Sequence, residues 1–254
     1  MSGHTSNSRW WEFYAVRYGI GSIFGGIIFY AICSIDPFLS PLVDGITPKT
    51  LSGPQLTLLF GYGAAYCYIS SAPILVFHIT RFLLAPFKEG IRARMLVLAS
   101  VPPVLVGLIT ALCLSTESWV ESFFFFLAGC SWSFTLWLQA LLIGGTIKGR
   151  NNWYSFYKNL AEKRESNSEG IINSYRHIRE HGNAFFIVLF ELVFALFLVT
   201  FANQEFLLND PQPSNRALKA PGYILAVIIW TFPAVLAWLL GTLLERLFSE
   251  DKGT

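Results

Sequence analysis

Six times along this chain an apolar run continues long enough to cross a hydrocarbon core of ~30 Å, which takes about 20 helical residues. The runs cover residues 16–33, 54–84, 95–115, 119–146, 184–203 and 221–244. Lipid offers a backbone N–H or C=O no partner, so a segment inside it must close its own hydrogen bonds as a helix or belong to a sealed barrel. These runs are continuous and lack the alternation of barrel strands. The expected fold class is an all-α integral membrane protein with six transmembrane helices. Composition agrees: 54% of the residues are hydrophobic and only 13% are charged, about half the charged share of an ordinary soluble domain.

The 18 Lys and Arg residues orient the helices. Segments 1–17, 81–94, 148–183 and 245–254 hold 2, 4, 7 and 2 of them, whereas the alternate loops hold only Lys49, Arg216 and Lys219. Cationic residues accumulate on the cytoplasmic side, which predicts that both termini lie there. The net charge of +2 is thus a topology signal. Spread over four segments, it is not the massed basic face that binds nucleic acid directly. The expected surroundings are the lipid bilayer of a cell membrane, the inner membrane if the source is a bacterium, and further copies of the same chain.

Within this plan the chain forms one membrane domain in three stretches: residues 1–147, a cytoplasmic segment 148–183, and residues 184–254. The first run could be taken for a signal peptide. However, small residues are missing before Cys33, and Ile32 stands where a lipoprotein signal wants one, so an uncleaved helix is expected. Arg9, Trp10, Trp11 and Arg17 suit an anchor in the headgroup layer. The outer loop 34–53 carries Pro37, Pro41, Pro48, Gly45 and Gly53, which predicts a compact irregular turn. The four cysteines show no CxxC spacing. Cys33 and Cys113 both fall near the outer face, either pairing or serving as reduced packing residues.

In the cytoplasmic segment, Ile171, Ile172, Tyr175 and Ile178 fall on one face of a short amphipathic helix over 169–181, with Ser168 placed to cap it and Gly182 to end it. Arg176, His177, Arg179 and His181 form its basic, titratable side, suited to lipid headgroups, an anionic ligand or a cytosolic protein. His177 and His181 have the i, i+4 spacing of HExxH metal sites, but HIREH puts the glutamate in the wrong place and no third ligand is near. No metal or other cofactor is expected.

The residue that asks for an explanation is Glu191, in AFFIVLFELVF. At 1.5 Å per residue from Asn183 it lies roughly 12 Å inside the cytoplasmic edge. Ionisable groups at such depth cost several kcal/mol unless they face protein or water, and they mark ion pathways, proton relays or buried pairs. Ala184, Val188, Glu191, Ala195, Val199 and Ala202 recur at intervals of three and four, a stripe of small side chains against which another helix can pack closely. Glu191 should therefore face the bundle. His78 and Arg81, at comparable depth in the second run, are its expected partners. Just above them Ser70, Ser71 and Pro73 predict a bend, since proline removes a helix hydrogen bond. Ser131, Thr135 and Gln139 form a second polar line on the fourth run, fit for a wet path or for interhelical hydrogen bonds. Gly21 and Gly25 make a GxxxG on the first, the signature of close helix packing.

These residues favour a small oligomeric channel or pore-forming effector, gated through its cytoplasmic segment. Bacterial membrane effectors of anti-phage defence share this general plan. The alternatives are a partner-dependent permease subunit using Glu191 as coupling or proton site, and a membrane scaffold. No nucleophile triad, phosphate-binding loop or dinucleotide fingerprint is found, so an enzyme is not expected.

Overall fold

The computed structural model describes residues 9–79, 89–114, 119–148, 155, 158–159, 162, 185–199 and 216–251. Its helices are α1 (Arg9–Ile35), α2 (Gly53–Ser70), α3 (Ala72–Ile79), α4 (Glu89–Leu114), α5 (Trp119–Lys148), α6 (Phe185–Val199) and α7 (Arg216–Asp251), and among the described residues there is no strand. Three helical stretches are long and apolar enough to cross a membrane: Arg17–Ile35, Gly53–His78 and Ala220–Leu243. Shorter apolar helices occupy Ser100–Cys113, Phe125–Trp137 and Phe185–Val199. All six fall within or nearly within the six apolar runs. Ile20, Ile23, Phe24 and Ile27 on α1, and Ile224, Ile228, Phe232 and Val235 on α7, are exposed. Apolar faces of this extent are stable against lipid, not water.

The chain divides into two compact units. The first holds residues 1–71 and 174–195, the second residues 72–173 and 196–254. In the first unit α1 and α2 pack at backbone distance. A Cβ on Gly63 would collide with the Ser22 carbonyl oxygen and would sit 2.6 Å from the Gly26 nitrogen, so only glycine permits this crossing. Tyr18 and Tyr68 stack beside it with ring centroids 4.9 Å apart.

The connection between α1 and α2 is compact, as its proline and glycine content predicts. Asp36 Oδ1 accepts the Phe38 N–H at 2.7 Å, and Tyr30 Oη donates to the Ile46 carbonyl at 3.2 Å. Val43 and Ile46 bury against Cys33, with Phe29, Tyr30 and Leu39 around them. Gly45 takes φ 76°, the left-handed region that favours glycine. Ser52 then caps the start of α2, its N–H donating to Gln55 Oε1 at 2.9 Å as in a capping box.

The long second run is broken where the serines and Pro73 predict. α2 stops at Ser70, the Ser71 N–H reaches back to the Cys67 carbonyl at 3.0 Å, and α3 restarts at Ala72. The boundary between the units falls at this break.

In the second unit α4 and α5 also meet through glycines. A Cβ on Gly107 would press on Cys130 Sγ and lie 3.0 Å from the Phe126 carbonyl oxygen, and one on Gly129 would sit 2.6 Å from Thr110 Oγ1. Val76 of α3 packs with Ala234 and Ala237 of α7, joined by Ala72, Phe77 and Ile143. Phe197 lies between Trp132 and Trp230, with centroids at 5.4 and 5.7 Å. α4 runs through Pro102 and Pro103, and α7 through Pro221 and Pro233.

All four cysteines are free. Cys33 and Cys67 are buried, Cys113 is exposed and Cys130 lies between. Cys33 is therefore a packing residue of the α1–α2 connection and not half of a disulfide.

Candidate functional site: a buried carboxylate between glycine faces

Glu191 is wholly buried at 0% exposure, as its place in an apolar run requires. Its surroundings come from three elements of the first unit. α1 contributes the faces of Gly21 and Gly25: a Cβ on Gly21 would stand 3.2 Å from Glu191 Oε1, and one on Gly25 would stand 3.4 Å from it. α2 contributes Tyr66 and Cys67. Tyr66 Oη donates to the Glu191 backbone carbonyl at 2.8 Å, and the Cys67 thiol adjoins the carboxylate as a weak donor. α6 itself contributes Ile187, whose Cγ2 and Cys67 Sγ lie 2.9 and 2.5 Å from the same Gly21 Cβ position. Neither carboxylate oxygen has a hydrogen bond of full geometry among the described residues. The Tyr66 and Phe194 rings, centroids 5.6 Å apart, close one flank.

The glycines are what make the site. Any side chain at position 21 or 25 would occupy space now shared by the carboxylate and the thiol, so the GxxxG motif serves both helix contact and acid burial. Arg17 stands one turn before Gly21 on this face of α1 and is 7% exposed. It is thus a buried residue, where the sequence suggests the end of an interfacial anchor.

One expectation about this site is divided between the two units, and another needs correction. His78 is not among the neighbours described for Glu191 within the first unit. It belongs to the second unit, where it lines a groove of about 300 Å³ with Leu75, Ala237, Trp238, Gly241, Thr242 and Glu245. The neighbours of Glu191 lie three turns earlier on the same apolar run, because the break at Ser71 assigns the two halves of that run to different units. Arg81 lies outside the described residues.

The correction concerns which face of α6 is inward. Ile187, Phe190, Glu191, Val193 and Phe194 are buried, while Ala195 is half-buried and Val199 is 39% exposed. Large side chains thus surround the carboxylate on its own helix. The small residues that admit it are on α1. Ala184 is outside the described residues, as are Arg176, His177, Arg179 and His181.

The polar line of α5 behaves differently. Thr135 is buried at 4% exposure but donates to the Ser131 carbonyl at 2.9 Å, satisfying itself on its own helix. Ser131 is half-buried. Gln139 is wholly buried, and neither its Oε1 nor its Nε2 has a partner among the described residues. Its position one turn before Ile143 puts it on the side of α5 that faces α3 and α7.

Tyr66, Cys67 and Gly63 were not singled out by sequence reasoning. The signal was present: Gly63, Tyr66, Cys67 and Ser70, the buried residues of α2, recur at i, i+3, i+4 and i+7, one face of a helix. Among the described residues no group of three or more His, Cys, Asp and Glu side chains could hold a metal ion. Comparison with protein-family models, curated proteins and solved structures yields no significant match.

Proposed function

We propose that this chain is a six-span protein of a cell membrane with both termini in the cytoplasm, and that it assembles into a small channel or pore-forming effector whose ion path is controlled at Glu191. The six spans are the three long apolar helices together with the apolar stretches of α4, α5 and α6. Orientation follows from the distribution of Lys and Arg. The cytoplasmic segment 148–183, with Arg176, His177, Arg179 and His181, is the element that senses a cytosolic protein or an anionic ligand.

One observation supports a functional role for Glu191 over a packing role: an ionisable side chain is wholly enclosed in an apolar helix without a full hydrogen bond to either oxygen among the described residues. A carboxylate kept only for packing would be expected to carry its partners with it, since an unsatisfied buried charge costs several kcal/mol. Groups left in this condition inside membrane helices mark ion paths and proton relays. The same enclosure favours a second reading, a partner-dependent permease subunit in which Glu191 is the coupling site, because the acid is sealed in protein and does not line an open passage.

Ion flux into liposomes carrying the purified protein tests the proposal, beside an equal preparation of Glu191→Gln and with a fluorescent dye as size marker. The channel reading expects flux in the parent protein and at least about a tenfold change in the variant, with oligomer size unchanged. Saturable uptake of one solute, pH-dependent and lost in Glu191→Gln, would select the permease. Equal flux in both proteins would remove Glu191 from the path.

A further inference from the structure

The occupant of the Glu191 site follows from the atoms around it. An ionised carboxylate sealed in protein needs a cation to cancel its charge in place, and the geometry limits which cation can do so. A hard metal cation takes a cage of oxygens, about six to eight for calcium, and potassium filters likewise use rings of carbonyls. Around Glu191 Oε1 stand instead two glycine faces, the Cys67 sulfur, the Ile187 methyl and the Tyr66 ring, with one further oxygen, the Gly63 carbonyl, 2.7 Å from the Cβ position of Gly25, far short of such a cage. Tyr66 Oη is turned to the Glu191 backbone, 2.8 Å from its carbonyl oxygen. The remaining space is narrower still, since a single Cβ on Gly21 would already crowd the sulfur, the methyl and the carboxylate together. Only a cation that needs no cage and no volume fits.

We infer that the Glu191 site binds a proton, taken up by the carboxylate to give a neutral carboxylic acid held between Gly21, Gly25 and Cys67, and returned to water when these helices part. The inference rests on the reading of Glu191 as the controlling group and names the ion that group binds. The balance is simple: carboxylate and one aqueous proton give the acid, with no other bond changed. Among the described residues, the buried titratable groups nearest the carboxylate on the elements packed here are Arg17 on the glycine side of α1 and Tyr66 and Cys67 of α2. Arg17 is the competing source of positive charge, one turn away.

Infrared difference spectroscopy across a pH titration of the full-length protein in liposomes decides between them. A carboxylic-acid C=O band that disappears with rising pH, and that Glu191→Gln lacks, is the expected result. The hydrophobic reagent dicyclohexylcarbodiimide, which adds only to protonated carboxyls, then maps the acid in the unmutated protein. Peptide mass spectrometry should place the adduct on Glu191, with a yield falling about tenfold per pH unit above the midpoint. An acid band absent at every pH, with Glu191 unmodified, would mean that Arg17 holds the carboxylate ionised and would overturn the inference. The outcome is separable from that of the flux experiment. Potassium flux that Glu191→Gln alters, without any acid band, keeps the channel and discards the proton site; an acid band without flux does the reverse.

Discussion

The two units face the same problem, polar groups inside apolar helices, and differ in one respect. In both units hydroxyls turn back on their own helix: Ser22 donates to the Tyr18 carbonyl and Ser70 to Cys67 in the first, and Ser133 donates to Gly129, Thr135 to Ser131 and Thr231 to Val227 in the second. Such bonds are satisfied before any helix meets another. The first unit adds to these a buried carboxylate whose surroundings come from several helices. Tyr66 of α2 donates to the backbone of α6, Cys67 adjoins its carboxylate, and two glycines of α1 complete the enclosure. A polar group satisfied locally is indifferent to how helices move. One that depends on three helices changes with each of them, which makes the first unit the part able to couple packing to chemistry.

Substitutions at matched positions can break this contrast. The largest effect is expected at Gly63→Val, which drives side-chain carbons into the α1 backbone at Ser22 and Gly26. Thermal unfolding in detergent should show a loss of about 3 kcal/mol or more, and an unaltered melting curve would mean that the α1–α2 crossing is not what holds the first unit. Gln139→Leu comes next and has the opposite sign. Removing a buried amide with no partner among the described residues should stabilise the protein by about 1–2 kcal/mol and leave liposome flux unchanged; if flux falls, the second unit carries the path as well.

Tyr66→Phe deletes the hydrogen bond from the α2 phenol to the α6 backbone. It should cost about 1 kcal/mol and raise the hydrogen-exchange rate of α6 amides, whereas unaltered exchange would show that the bond does not tie the two helices. Thr135→Val should change least, within about 0.5 kcal/mol by the same unfolding assay, because the hydroxyl it removes serves only its own helix. A loss of 2 kcal/mol or more there would mean that the hydroxyl serves more than its own helix.

Much of this was legible in the sequence, for reasons that differ by feature. Apolar runs are visible because hydropathy is a property of composition, and all six reappear as apolar helices. Burial of Glu191 is visible because a charge in such a run has few tolerable environments. The break at Ser71 is visible because Pro73 lacks an N–H. What could not be read is rotation and pairing. The small-residue stripe of α6 predicts an inward face through Ala195 and Val199, yet Phe190 and Phe194 are the buried flank. The helix is turned by the room that Gly21 and Gly25 offer on a different element, 166 or more residues away in sequence. Depth alone suggested His78 as the partner. Which helix stands opposite is decided by the backbone crossing at Gly63, which no periodicity within α6 encodes.

The first unit is discontinuous, and this has a consequence for synthesis. Tyr66 and the carboxylate-bearing residue whose backbone it binds are 125 residues apart. At ribosomal rates of about 5–20 residues per second, α1 and α2 spend on the order of ten seconds in existence before Glu191 is made. Through that interval their glycine faces are an uncovered cleft, open to lipid or to a membrane chaperone. A nascent chain arrested after α5 would hold the receptacle without its acid, so the site's assembly is the last event of the first unit's biogenesis.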